Sequence, residues 1–296
     1  MDIQYFNREK DSLEDEKVYG GKAVDWLYSS KVGSALNNLI TQPFVSQLYG
    51  AYQDSGVSKK KIRPFLKQFG IDISEFKNNG TEDFYDSFND FFIREFREGA
   101  REFAQKPSDM PAPCEARYLG FTKMSSLNPI RVKKAFLKPK EIVGNAEYAE
   151  YFRDGPAYIA RLCPVDYHRF HFPDDGRVIE SYRVHGVLDS VNPLALGKKS
   201  DLFFENERHV TILETKNFGK IAYIEVGAVC VGKIVQSYHG NQFLRGQEKG
   251  YFKFGGSTVI VFGEKGKWAP SEDILKHSSE GREVYLKLGD VVAQKI

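Results

Sequence analysis

The sequence predicts an α+β protein: a helical segment over residues 1–105 followed by a predominantly β domain over 106–296. Three observations lead there. Apolar residues recur at helical spacing through much of the first third. Pro107, Pro111 and Pro113 then break that pattern. Beyond them the segments are short, β-branched and punctuated by turns, with no regular βα alternation that would signal a doubly wound parallel sheet. At 296 residues, with 41% apolar and 28% charged side chains, the chain has ample material for a core.

In order along the chain, Val24, Leu27, Tyr28, Val32, Ala35, Leu36, Leu39 and Ile40 predict a helix over 22–40, closed by Pro43. Phe44, Val45, Leu48 and Tyr49 begin a second. Ser58 is positioned to cap a third over 59–69, with Ile62, Phe65, Leu66 and Phe69 inward and Gly70 as its stop. A fourth, over 83–103, carries Phe88, Phe91, Phe92 and Phe96 on one stripe. A packed bundle is the simplest arrangement; short, aromatic helices also suit a surface lying on a membrane. In the second domain, 139–152 reads as helix. Strands are expected at 158–162, 177–184, 210–215, 220–226, 230–238, 258–262 and 283–286.

Composition excludes several classes. A net charge of +2 and the absence of a nucleic-acid motif argue against a DNA or RNA partner. Lys59, Lys60, Lys61 and Arg63 form a small basic cluster, ordinarily a solvated face and otherwise an anionic-lipid contact. The 3 cysteines (Cys114, Cys163 and Cys230) are widely spaced, which fits a reducing compartment and neither a disulfide framework nor a zinc site. The polar, acidic stretch 1–16 has no signal-peptide core, and no apolar run reaches about 18 residues. Any membrane contact is therefore expected to be peripheral.

Two stretches carry chemistry. Gly255-Gly256-Ser257-Thr258, between Tyr251–Phe254 and Val259–Phe262, is a hairpin signal, because glycine supplies the positive φ a tight turn needs. The same turn places a serine hydroxyl beside the preceding carbonyl, the arrangement for an N-to-O acyl shift. Asp166-Tyr167-His168-Arg169-Phe170-His171, bracketed by Pro164 and Pro173, reads as a loop with two imidazoles among other polar groups. That composition suits proton transfer near neutrality better than metal binding, since His185, His209, His239 and His277 show no zinc spacing.

Taken together, Asp166–His171 with Pro173 and Gly176, Asn206-Glu207-Arg208 downstream of Ser190-Val191-Asn192-Pro193-Leu194, Val226 to Ile234, and Lys249 to Thr258 resemble the signatures of the phosphatidylserine decarboxylase family, in the family's order. Phe91-Phe92-Ile93-Arg94 resembles the segment that enters its catalytic domain. The family's processing site is usually LGST and here reads GGST. The resemblance implies self-cleavage between Gly256 and Ser257, giving a β chain of residues 1–256 and an α chain of 257–296. Ser257 Oγ would attack the Gly256 carbonyl to give an ester. Loss of the Ser257 Cα proton would then expel the upstream chain as a carboxylate, and tautomerisation and hydrolysis would leave a pyruvoyl group and ammonia. Phosphatidylserine would be decarboxylated to phosphatidylethanolamine through a Schiff base to that group, the electron sink that no ordinary side chain provides.

By residue-to-residue match, His171 is the base for processing, His168 acts in decarboxylation, and Tyr167, Asn206, Glu207 and Arg208 help position the head group. The family's orienting aspartate falls at Glu115, within Ala112-Pro113-Cys114-Glu115-Ala116-Arg117, so glutamate replaces aspartate and Ala116 replaces glycine. No metal is implied. A lipid substrate implies a peripheral protein on the cytoplasmic side of a membrane, its aromatic N-terminal helices apposed to the surface, and leaves room for a homodimer. Two other readings stand beside this one. The Glu115-Ala116 departure suits a relative that binds lipid head groups without cleaving itself, and an uncleaved Ser257 with a histidine suits a hydrolase.

Overall fold

The computed structural model describes residues 4–16, 43–77, 81–123, 139–186, 206–227, 234–255 and 257–296. The helix expected over 22–40, the motif residues 190–194 and 228–233, and Gly256 lie outside the described residues. In chain order, β1 (Gln4–Asn7) and β2 (Ser12–Asp15) come first. After the helical third follow β3 (Asp109–Pro111), β4 (Ala116–Phe121), β5 (Ala157–Leu162), β6 (Arg169–His171), β7 (Gly176–Val184), β8 (Arg208–Thr215) and β9 (Gly219–Val226). The chain ends with β10 (Ile234–Gln236), β11 (Gln242–Phe243), β12 (Glu248–Phe252), β13 (Ser257–Gly263), β14 (Trp268–Pro270), β15 (Glu283–Leu286) and β16 (Val291–Lys295).

A ten-stranded sheet runs β11-β7-β8-β9-β13-β5-β4-β15-β1-β2, with two three-stranded sheets, β10-β12-β6 and β14-β16-β3. Burial explains the order. Ser257–Gly263 is buried at every position, the pattern of a strand covered on both faces, and it occupies the interior between β9 and β5. Gly176–Val184 alternates half-buried and exposed residues and lies next to the edge strand β11. Tyr118, Tyr158, Tyr223, Phe170, Phe172 and Trp268 fill the core between the sheets.

Among the described residues the body is mixed and dominated by its sheets, with few helices. The strands expected at 158–162, 177–184, 210–215, 220–226, 258–262 and 283–286 are present within a residue or two. That at 230–238 is strand only over Ile234–Gln236 among its described residues. The helix over 139–152 is two, Pro139–Val143 and Ala146–Phe152; Asn145 caps the second by accepting from the Glu147 and Tyr148 amides.

The first third differs most from expectation, and the membrane-apposed helical segment is not what its described residues display. Residues 4–15 form a hairpin whose β1 pairs in parallel with β15. Helix Ile62–Phe69 ends as expected at Gly70, in the left-handed region at φ 65°. Ser58, however, is not its cap. It sits buried in a 3₁₀ turn, Gly56–Lys61, and accepts from the Phe88 amide at 2.8 Å. The helix expected over 83–103 survives only as Phe88–Phe92, capped by Ser87, after a 3₁₀ turn at Glu82–Phe84. Beyond Ile93 the chain runs extended beside 75–77, through Lys77 N to Glu95 O and Arg97 N to Glu75 O, at 2.8 and 2.9 Å. Those tertiary bonds displace the helix that the aromatic spacing predicts. Phe88, Phe91 and Phe92 point inward and pack with Ile62, Phe65, Tyr85 and Phe254, so these aromatics are core.

Candidate active site

The site is made by two crossings of the chain. Strand β5 passes through residues 163–168 into β6, and β12 passes through 253–256 into β13. β5 pairs with β13 and β6 with β12. Both connections therefore leave the ten-stranded sheet for the small one at the same place. Ser257 lies opposite Leu162 at the end of one pairing, and the Phe252 amide donates to the His168 carbonyl at 2.9 Å in the other. The histidine loop and the Gly255–Ser257 turn share one junction.

Polar groups there lack partners. Ser257 Oγ, Thr258 Oγ1, His168 Nε2 and His171 Nδ1 are all buried and have no hydrogen-bond partner among the described residues. Folded proteins satisfy nearly all such groups, so each of these atoms is a candidate for chemistry. Of the two histidines, His168 is tied directly to the strand that leads into the turn, while His171 pairs with Glu248 further along β12. Gly255 adopts φ 150°, in the range that disfavours side chains.

Local packing fixes both imidazoles. His168 Nδ1 lies 3.0 Å from the Asp166 carbonyl, and its ring packs on Phe92 with centroids 3.8 Å apart. Burial, reinforced by the Arg94 guanidinium, pushes its pKa well below the ordinary imidazole value. His171 donates its backbone N–H to the Pro113 carbonyl at 2.8 Å, and its ring stacks on Tyr167. Burial and then Arg169 push its pKa down to about 3. Both shifts favour the neutral ring and weaken it as a base, so proton uptake at either needs a charge or hydrogen bond supplied during the reaction.

Glu115 is buried and triply hydrogen-bonded. Arg101 donates Nε to Oε2 at 3.2 Å and Nη2 to Oε1 at 3.1 Å, and the Tyr285 hydroxyl donates to Oε1 at 3.2 Å. Burial raises its pKa, and Arg101 opposes that rise. Among the described residues its carboxylate makes no hydrogen bond to His171; the His171 amide donates instead to the carbonyl of Pro113, two residues before Glu115. Arg101 also pairs with Glu75 and lies over the Phe96 ring.

Arg94, Arg117 and Arg161, unlike Arg208, were not legible as site residues in the sequence. Arg94 donates to the Val165 and Asp166 carbonyls at 2.9 and 3.0 Å, and Arg169 Nε to the Ile93 carbonyl at 2.7 Å. The Phe91–Arg94 motif thus grips the histidine loop. Asp166 Oδ2 accepts from Arg117 at 2.5 Å and from the Cys163 amide at 2.6 Å, closing that loop. Behind it Glu16 bridges Arg117 and Arg161, and Arg161 also meets Glu283. Two residues along β13 from Ser257, Val259 pairs with Glu225. The Glu225 carboxylate meets Lys249 Nζ at 2.5 Å, and Lys249 also donates to Thr211 and Gln236, with both charges fully buried.

The remaining sequence-predicted residues divide. Tyr167 is at the junction, between Phe96 and His171. Asn206 Nδ2 donates to the Gly227 carbonyl at 2.7 Å, and the Glu207 carbonyl accepts from the Gly227 amide at 2.9 Å. Those two bonds tie the start of β8 to the end of β9, which neighbours Thr258. Arg208 donates to the Ile142, Asn206 and Glu141 carbonyls, the first at 2.7 Å, and so closes the end of helix Pro139–Val143. Among the described residues no group of three His, Cys, Asp or Glu side chains could hold a metal ion.

Fold and site together define a sheet-dominated protein with a buried serine and two buried histidines on the strands and loops that join two sheets. A family model described as phosphatidylserine decarboxylase matches residues 88–293. The chain is similar to the phosphatidylserine decarboxylase proenzyme of Clostridium tetani, 42% identical over 99% of this chain and 98% of that protein. It is likewise similar to the proenzymes of Clostridium novyi and Clostridium perfringens, at 40% and 39% identity, each over 99% of this chain and 100% of the relative. The chain belongs to the phosphatidylserine decarboxylase family.

Proposed function

We propose that this chain is a self-processing decarboxylase that converts phosphatidylserine to phosphatidylethanolamine, with Ser257 as the source of a covalent pyruvoyl group. One observation carries the reading: Ser257 Oγ, His168 Nε2 and His171 Nδ1 are buried without hydrogen-bond partners among the described residues, and the strand that leads into the Ser257 turn bonds the His168 carbonyl. The position fits such a group, because Ser257 heads a buried strand and follows a glycine pair whose first member has φ 150°. A pyruvoyl group there supplies an electron sink for decarboxylation.

The chain's own residues do the rest. His171, neutral and with Nδ1 unpartnered, takes the Ser257 hydroxyl proton during processing. Glu115, held by Arg101 and Tyr285, supplies negative charge behind that loop and favours the imidazolium as it forms. His168, fixed by Phe92 and the Asp166 carbonyl, rests neutral and relays a proton to the substrate carbon after carbon dioxide leaves, accepting one before it gives one. Phe92 packs on His168 and Phe103 on His171, while Phe96 packs on Tyr167, so the loop is lined with aromatic rings that limit water. Leu48, Tyr52, Val57 and Phe84 are exposed in the N-terminal third, as are Lys60 and Arg63, and we assign that part of the surface to the membrane, where the protein sits peripherally on the cytoplasmic side. No described helix is long and apolar enough to cross a bilayer.

Intact mass under denaturing conditions tests the reading. Two species are expected, residues 1–256 and a 257–296 chain with a blocked N-terminus that hydroxylamine modifies. A single full-length species would favour a head-group binding protein instead. Two fragments with an unblocked serine would rule out the pyruvoyl group.

A further inference from the structure

The turn that carries the scissile bond is held from outside by the N-terminal third. Residues 253–256 connect β12 in the small sheet to β13 in the large one, and each flank is anchored by strand pairing. Between the flanks, the Phe254 amide donates to Asn89 Oδ1 at 2.7 Å, a buried bond between residues 165 positions apart. Asn89 is 2% exposed, and its other end donates to Asp54 Oδ1 at 3.0 Å. Asp54 in turn meets Lys253 Nζ at 3.0 Å, so one carboxylate ties both Asn89 and the turn. The Phe254 ring stands edge-on to Phe88 and Phe92, with centroids 5.1 and 5.0 Å away, and Phe92 also packs on His168.

An acyl shift needs the serine oxygen at bonding approach to the preceding carbonyl carbon. A glycine pair leaves that approach conformationally free, and an error of about 1 Å in such a geometry costs roughly 100-fold in rate. Something other than the turn's own residues must restrict it. We infer that Asn89 is a positioning residue for self-cleavage, fixing through the Phe254 amide the turn whose Gly256–Ser257 bond is broken. On this view helix Phe88–Phe92, including its contact from Phe92 to His168, sets the turn against the histidine loop. The inference rests on the self-processing reading above. It assigns a role in maturation and none in decarboxylation once the bond is cut.

The test is a processing time course on freshly synthesised full-length chain, with melting temperature and decarboxylase turnover per pyruvoyl group measured on the same samples. Asn89→Leu keeps the bulk and removes the acceptor; it is expected to slow fragment appearance at least about tenfold. Turnover per pyruvoyl group in the fraction that matures should stay within about twofold of wild type. The exchange Asn89→Asp with Asp54→Asn keeps an acceptor for the Phe254 amide and moves the amide donor to the other side. It is expected to restore processing to within about threefold of wild type. The inference is overturned if Asn89→Leu processes at the wild-type rate, if the exchange fails to rescue while melting normally, or if turnover falls in proportion to processing. If the wild-type chain does not split at all, the self-processing reading fails, and the inference with it.

Discussion

His171 offers the sharpest single-residue prediction, because burial separates its folded and unfolded proton affinities. The folded ring binds a proton only near pH 3, whereas an unfolded histidine does so near 6.5. Between those values the unfolded state holds the extra proton, so this residue's contribution to stability falls as pH falls through the window. The slope is about 1.4 kcal/mol per pH unit. Denaturant unfolding of the Ser257→Ala proenzyme at pH 7 and pH 5 should lose stability relative to a Ser257→Ala/His171→Gln form by roughly that slope below 6.5. A constant difference across that range would mean the ring is not held neutral. Glu115→Gln keeps the shape and loses the charge that meets Arg101. It is expected to slow fragment formation on a denaturing gel by about tenfold or more, and processing at the wild-type rate would remove Glu115 from the mechanism. The histidines, Ser257 and Glu115 were legible because their chemistry is rare and their order distinctive. Arg94, Arg101, Arg117 and Asn89 were not. In a chain with 42 basic and 40 acidic residues, no local signal separates an arginine that grips a loop from one on a solvated face.

At the scale of elements, strands were read well because β-branched runs bounded by glycine, proline and polar residues need no distant partner to be recognised. The helix over 83–103 was misread for the opposite reason. Its aromatic spacing is helical, yet Arg94 and the extended pairing beside 75–77 divert the chain after Ile93. The hairpin at 4–15 escaped notice because its parallel partner, β15, lies near the other end of the sequence. Strands β8, β9, β10 and β12 also carry a prediction. Lys249 and Glu225 are both fully buried, and each is satisfied chiefly by side chains from these strands. Burial disfavours the charge on Glu225, but Lys249 and His209 together outweigh it and lower the carboxyl pKa, which favours the ionised form. Lys249→Met alone strands that carboxylate and should cost about 3–5 kcal/mol in denaturant unfolding. The double change Lys249→Met/Glu225→Leu should recover most of that loss. If the two single losses simply add, the ion pair is not what holds these strands together.

For the whole molecule, sequence order and spatial order diverge most at the C-terminus. Residues 257–296 supply the interior strand β13, then β14, β15 and β16, and so contribute to two of the three sheets. Cleavage before Ser257 would leave β13 enclosed on both sides by β9 and β5. Fragments of 1–256 and 257–296 are therefore expected to co-elute at native pH and to separate only in denaturant. Separate elution without denaturant would contradict this packing.

The enclosed strand β13 also changes what unfolding means. Before the cut, the chain can find that strand by closing a loop on itself. Afterwards the same strand must be recaptured from solution, where its effective concentration is only that of the free fragment. Maturation would thus turn a reversible equilibrium into a one-way loss, with lifetime set by the unfolding barrier. Diluted from denaturant, Ser257→Ala proenzyme should regain structure at a rate independent of protein concentration. The processed pair should regain it in a second-order manner, or aggregate first.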